Sequence, residues 1–67
     1  MDGKVVAILG QIVEVEFLRA NEPRIHDILI LVDDPAVKME VYTSANSNSY
    51  YCLLLSSSPK LSRGKAI

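Results

Sequence analysis

The stretch Ile12-Val13-Glu14-Val15-Glu16-Phe17 decides the fold. Val13, Val15 and Phe17 fall on one side of an extended chain, and Ile12, Glu14 and Glu16 fall on the other. A period of two with carboxylates on one face is the pattern of a half-buried β-strand, because a helix would scatter those glutamates round its circumference. Toward the N-terminus, Lys4 to Leu9 is short, apolar and β-branched, with Gly3 and Gly10 as punctuation. Toward the C-terminus, the polar stretch Arg19-Ala20-Asn21-Glu22-Pro23 reads as a connection, and Pro23 keeps the chain extended at its end.

Further strands follow. Ile25 to Val32 is the third, mixed at His26 and Asp27 and continuously apolar from Ile28 to Val32. Its β-branched content and the Asp33-Asp34-Pro35 turn after it favour a strand over a buried stretch of helix. Val37 to Thr43 alternates again, with Val37, Met39 and Val41 opposite Lys38, Glu40 and Tyr42. Ser44 to Ser49 is a small polar turn in which Asn46 and Asn48 tolerate a positive φ. Tyr50 to Leu55 is the fifth strand, Ser56 to Lys60 a loop, and Lys65 to Ile67 the start of a sixth strand that is cut short. Six short strands at roughly ten-residue spacing, with no helical period, predict an all-β fold, a small six-stranded closed or nearly closed β-barrel. Closure also removes the exposed edges that strands this apolar would otherwise present.

The 67 residues allow one domain, and 49% of them are hydrophobic, which excludes a disordered chain. A domain this small buries only about 60% of the surface of its unfolded chain. Its aromatics are three Tyr and one Phe, so the core is thin and aliphatic, and added stability is expected from neighbouring protein. Seven basic residues against eight acidic ones give a net charge of −1, without the clustered cations that phosphate backbones require. No nucleic acid is expected as a partner. No apolar run approaches the ~20 residues of a membrane helix, and Met1-Asp2-Gly3-Lys4 leads straight into patterned sequence with no leader peptide. The lone Cys52 suggests a reducing, cytosol-like compartment.

Candidate chemistry is sparse. His26 and Asp27 are adjacent, and neighbours in a strand point to opposite faces, so they form no dyad. Cys52 sits in an apolar strand, as a small core hydrophobe does, with no cation beside it to activate it. Glu14 and Glu16 are the only carboxylate pair on one face, and they read as a solvated face or as a surface for basic groups of a partner. Ser56-Ser57-Ser58 lacks a nucleophile elbow, and the glycines at 3, 10 and 64 form no phosphate loop. Tyr50 and Tyr51 would serve for base stacking, but the basic groove that accompanies such a platform is missing. No catalytic, cofactor-binding or metal-ligating residue is expected in this segment.

The run from Gly3 to Phe17, Gly-Lys-Val-Val-Ala-Ile-Leu-Gly-Gln-Ile-Val-Glu-Val-Glu-Phe, resembles the opening of the F-type ATP synthase β subunit. In that family a Gly-x-Val/Ile strand leads through Ile-Gly-Pro-Val-Val-Asp-Val-x-Phe. Pro23-Arg24-Ile25-His26-Asp27-Ile28-Leu29 is similar to the family's Pro-x-Ile/Val-Tyr-Asp/Asn-Ala-Leu, and Glu40-Val41 to its Glu-Val. Leu61-Ser62-Arg63-Gly64 matches the Leu-x-Arg-Gly that precedes the family's nucleotide-binding domain. The resemblance spans essentially the whole chain with the spacing kept. Gln11 replaces Pro, Glu14 replaces Asp, His26 replaces Tyr, and Tyr51 stands where Arg is typical. The turn at Ala45 to Asn48 lacks the usual Leu-Gly, and Ser58-Pro59-Lys60 replaces Asp/Glu-Gly.

The resemblance implies that residues 1–67 are the N-terminal barrel of a longer β subunit, part of the crown in which three β barrels alternate with three α-subunit barrels. The catalytic machinery and the Mg-ATP/ADP site of that family lie beyond the segment, so the parent would be an ATP synthase while this segment alone is no enzyme. By the same resemblance the parent complex would couple proton or sodium transport to ATP synthesis or hydrolysis. It would sit in the cytoplasm, or in an organelle matrix or stroma, peripheral to the membrane and without inserting this barrel into it. Packing in a ring adds apolar burial at about 25 cal/mol per Å². The expected subunit-interface residues are those without a place in the core: Glu14, Glu16, Tyr42, Tyr51 and Arg63. The alternatives are the barrel of a related rotary or secretion-type ATPase, and a free-standing barrel that binds peptide or oligonucleotide.

Overall fold

A computed structural model describes residues 3–18 and 22–67. The connection expected at Arg19 to Asn21, and the leading Met1-Asp2, lie outside the described residues. The opening alternation folds as read. β1 (Gly3–Leu9) and β2 (Ile12–Phe17) form an antiparallel hairpin, closed by the two-residue turn Gly10-Gln11. Gly10 takes φ +61° and Gln11 has no positive φ, which is the geometry of the turn type that wants glycine first.

β4 (Lys38–Ser44) and β5 (Ser49–Ser56) form the second hairpin. Its loop uses neither asparagine at positive φ. Instead Asn46 Oδ1 accepts from the N–H groups of Asn48 (2.9 Å) and Ser49 (3.1 Å), so a side chain does the work expected of the backbone. β3 (Ile28–Ile30) pairs with β4, giving one antiparallel sheet in the order β1-β2-β5-β4-β3. The sheet curls round its apolar face. Val5, Val13, Val15, Leu31, Val37, Met39, Val41 and Cys52 are nearly or wholly excluded from solvent there, with Phe17 and Leu29 beside them. Cys52 takes the core position expected of it.

The third strand is shorter than Ile25–Val32. Arg24 to Asp27 is a tight turn in which the Asp27 N–H donates to Arg24 O (3.0 Å) and His26 takes φ +77°. A positive φ at that position breaks the extended chain, so the regular ladder begins only at Ile28, although the His26 N–H still donates to Val41 O (2.8 Å) and the Val41 N–H to Asp27 O (2.9 Å). The apolar run after it has one buried face rather than two. Leu29 and Leu31 point inward, whereas Ile28, Ile30 and Val32 are exposed. Pro35 sits second in the turn after β3, where the Val37 N–H donates to Asp34 O (3.0 Å).

In place of a sixth strand the C-terminal segment makes an isolated bridge between Lys4 and Ala66. It is nonetheless bonded on both sides. The Val5 N–H donates to Lys65 O (2.9 Å), the Gly64 N–H to Val5 O (2.7 Å) and the Ile67 N–H to Gly3 O (3.0 Å). On the other side, the Val32 N–H donates to Ala66 O (3.0 Å). Ile67 is buried with the core.

Candidate functional site

The outer face of the sheet follows from the register. Two lateral rows cross it: Ala7, Glu14, Tyr51 and Thr43 in one, and Leu9, Ile12, Leu53, Glu40 and Ile28 in the other. Outward alternation is usually polar in an antiparallel sheet with one solvated face. Here Leu9 is 70% exposed, Ile28 51% and Leu53 38%, so the second row is an aliphatic stripe interrupted only by Glu40.

Two irregularities shape this surface. β4 carries an extra residue between Val41 and Thr43, which places Tyr42 beside Thr43 on the outside. Tyr42 and Tyr51, together with Leu9 and Ile12, line an open apolar recess of about 260 Å³. Tyr50 and Tyr51 do not form a platform together. Tyr50 turns inward and meets Phe17 edge-on, with centroids 6.1 Å apart and planes at 75°, while Tyr51 turns outward.

Of the residues expected at an interface, Tyr42 and Tyr51 are therefore brought together at the recess. Glu14 stands directly opposite Tyr51 in the β2–β5 register and is half-buried, and its Oε2 accepts from Ser49 Oγ at 2.9 Å. Glu16 is exposed two positions further along the same face, between Lys4 and Ser49. Arg63 lies apart, exposed in the turn where the Lys65 N–H donates to Ser62 O. Leu9, Ile12, Leu53 and Ile28 were not singled out by sequence. The available signal was that Leu9 and Ile12 flank a two-residue turn and must share a face.

Among the described residues the titratable groups show no catalytic arrangement. His26 lies in a turn, not a strand, and its Nδ1 is 2.9 Å from Glu40 Oε2 rather than near Asp27. Asp27 Oδ2 accepts from the Arg24 N–H, tying its own turn. Hydrogen bonds from Ser58 Oγ and the Ala36 N–H hold the Asp34 carboxyl below its usual range, and Lys65 Nζ at 2.7 Å does the same for Asp33. Burial pushes the Cys52 thiol up to about 11, away from the thiolate a nucleophile needs. Among the described residues no group of three or more His, Cys, Asp or Glu side chains is placed to hold a metal ion, and no helix is long and apolar enough to cross a membrane. No protein-family model matches the chain.

Proposed function

We propose that this chain is a non-catalytic assembly module: a six-stranded barrel, with residues 64–67 as the closing strand, that packs side by side with similar barrels. In this reading it is the crown domain of an F-type ATP synthase β subunit, alternating with α-subunit barrels to hold the hexameric head together. Mg-ATP/ADP would be bound by later parts of the parent subunit, in the cytoplasm or an organelle matrix or stroma. The observation that carries the proposal is the aliphatic outer row of Leu9, Ile12, Leu53 and Ile28, a surface that a solitary domain would cover with polar side chains. The motif resemblance from Gly3 to Phe17 and at Leu61-Ser62-Arg63-Gly64 supplies the family. Closure is supported by the backbone bonds that join the C-terminal segment to Gly3 and Val5 on one side and to Val32 on the other.

The test is capture by a co-expressed F-type α subunit, followed by size-exclusion chromatography. A stable complex is expected, along with an open reading frame that continues to a Gly-rich phosphate loop. Tight ATP binding by these 67 residues in calorimetry would overturn the reading.

A further inference from the structure

We propose that the sheet opens along one seam, between β3 and the C-terminal segment, with the Lys65–Asp33 ion pair as its latch, and that the segment stays on β1 when it does. The inference goes beyond the assembly role proposed above and holds whichever protein packs against the domain. Residues 64–67 lie between two sheet edges, and the two hold them unequally. On the β1 side three backbone bonds run in both directions: from the Val5 N–H to Lys65 O, from the Gly64 N–H to Val5 O and from the Ile67 N–H to Gly3 O. On the β3 side there is one, from the Val32 N–H to Ala66 O, and the Ala66 N–H returns no backbone bond to Val32. That bond is joined across the seam by Lys65 Nζ, which donates to Asp33 Oδ2 at 2.7 Å.

Local opening follows the boundary with the fewest backbone bonds and the least buried apolar surface. Val32 is exposed, whereas Val5 on the other side belongs to the core. Both partners of the ion pair are partly exposed, so it tunes the opening and does not prevent it. Gly64, at φ +88°, supplies the bend at which the segment leaves the loop before it. Farther back Ser58 Oγ is tied to Asp34, which anchors that loop on the β3 side of the seam. Opening also lengthens an edge that is already bare. The Val41 N–H donates to Asp27 O and the Leu31 N–H to Val37 O, so the odd-numbered residues of this stretch bond toward β4. Ile28 and Ile30 direct their N–H and C=O groups the other way, where they pair with no backbone among the described residues. With the seam open, Val32 joins them in one continuous strand edge.

The experiment is native-state amide hydrogen exchange on the ¹⁵N-labelled chain. The expected result is protection at Val32 at least tenfold below that at Val5, because only the Val32 bond crosses the seam. Asp33→Asn and Lys65→Gln should each lower Val32 protection about two- to fivefold and leave Val5 unchanged. In 1 M salt, where screening acts over ~3 Å, the unaltered protein should approach the two variants, and the variants should not change further. Equal protection at Val5 and Val32, or a fall at both in the variants, overturns the proposal, because the segment then leaves both edges as one. Faster exchange at Val5 than at Val32 overturns it as well, since the opening would lie on the β1 side. Val32 protection that is unchanged in both variants overturns the ion pair as the latch.

Discussion

Gly3 faces Phe17 across the first hairpin, and the Phe17 ring occupies the space a Gly3 side chain would need. A Cβ built on Gly3 would lie 2.7 Å from Phe17 Cε2 and 3.0 Å from Val15 Cγ1. The ring cannot swing clear, because Phe17 is buried and held edge-on by Tyr50. Gly3→Ala should therefore lower stability by ~1–3 kcal/mol through overpacking, although alanine suits a strand better than glycine. Urea unfolding checks this, and an unchanged midpoint would show that the hairpin edge yields.

His26 opposes two effects. Its positive φ costs a non-glycine residue about 1–2 kcal/mol, while its exposed contact with Glu40 contributes ~0–1 kcal/mol. His26→Gly is expected to leave stability unchanged or higher, and His26→Val to lower it. A loss of more than about 2 kcal/mol in the glycine variant would make the Glu40 contact dominant.

Acid should loosen the loop region around Asp33 and Asp34. Both carboxyls lie below their ordinary value of 3.8 when folded, Asp33 chiefly through its bond from Lys65 and Asp34 chiefly through its bond from Ser58. Their contribution is then fully present above that value and is lost as pH falls through the depressed ones. Urea midpoints between neutral and acid pH should show the decline, with a shallower slope in Asp34→Asn.

Alkali acts through Cys52 with the opposite sign. Its folded value of about 11 stands above the ordinary 9.0, so the folded state keeps a proton that the unfolded state releases. Stability should fall between those two values as pH rises. At pH 8 an aromatic disulfide reagent should label the thiol slowly in the native protein and rapidly in urea. Fast native labelling would mean that the core opens readily.

The outer row should matter to partners and not to folding. Leu9→Gln and Ile28→Thr are expected to change stability by no more than about 0.5 kcal/mol, since both side chains face solvent. The same variants should lose α-subunit capture. Retained capture would place the interface elsewhere on the domain.

Much of this molecule was legible in its residues. β2 runs from Ile12 to Phe17 as its alternation requires, and the fourth and fifth strands match within a residue at each end. The all-β class follows from such patterns, because period and turn chemistry are local properties. What escaped was non-local. His26 looks like a strand residue until its turn is stitched to β4, where the His26 N–H donates to Val41 O. The run from Ile28 to Val32 is apolar throughout, so only the structure tells which side faces out. The recess depends on the extra residue in β4 and on a pairing between strands 37 residues apart, from Glu14 to Tyr51, which no local pattern encodes.

The bond from the Ile67 N–H to Gly3 O sets the path of any force on the chain. The two ends of the folded unit are neighbours, so a pull applied between them is borne by one short stitch along β1. Opening that stitch would also draw Ile67 out of the core, so the end of the folded unit is held by packing as well as by backbone bonds.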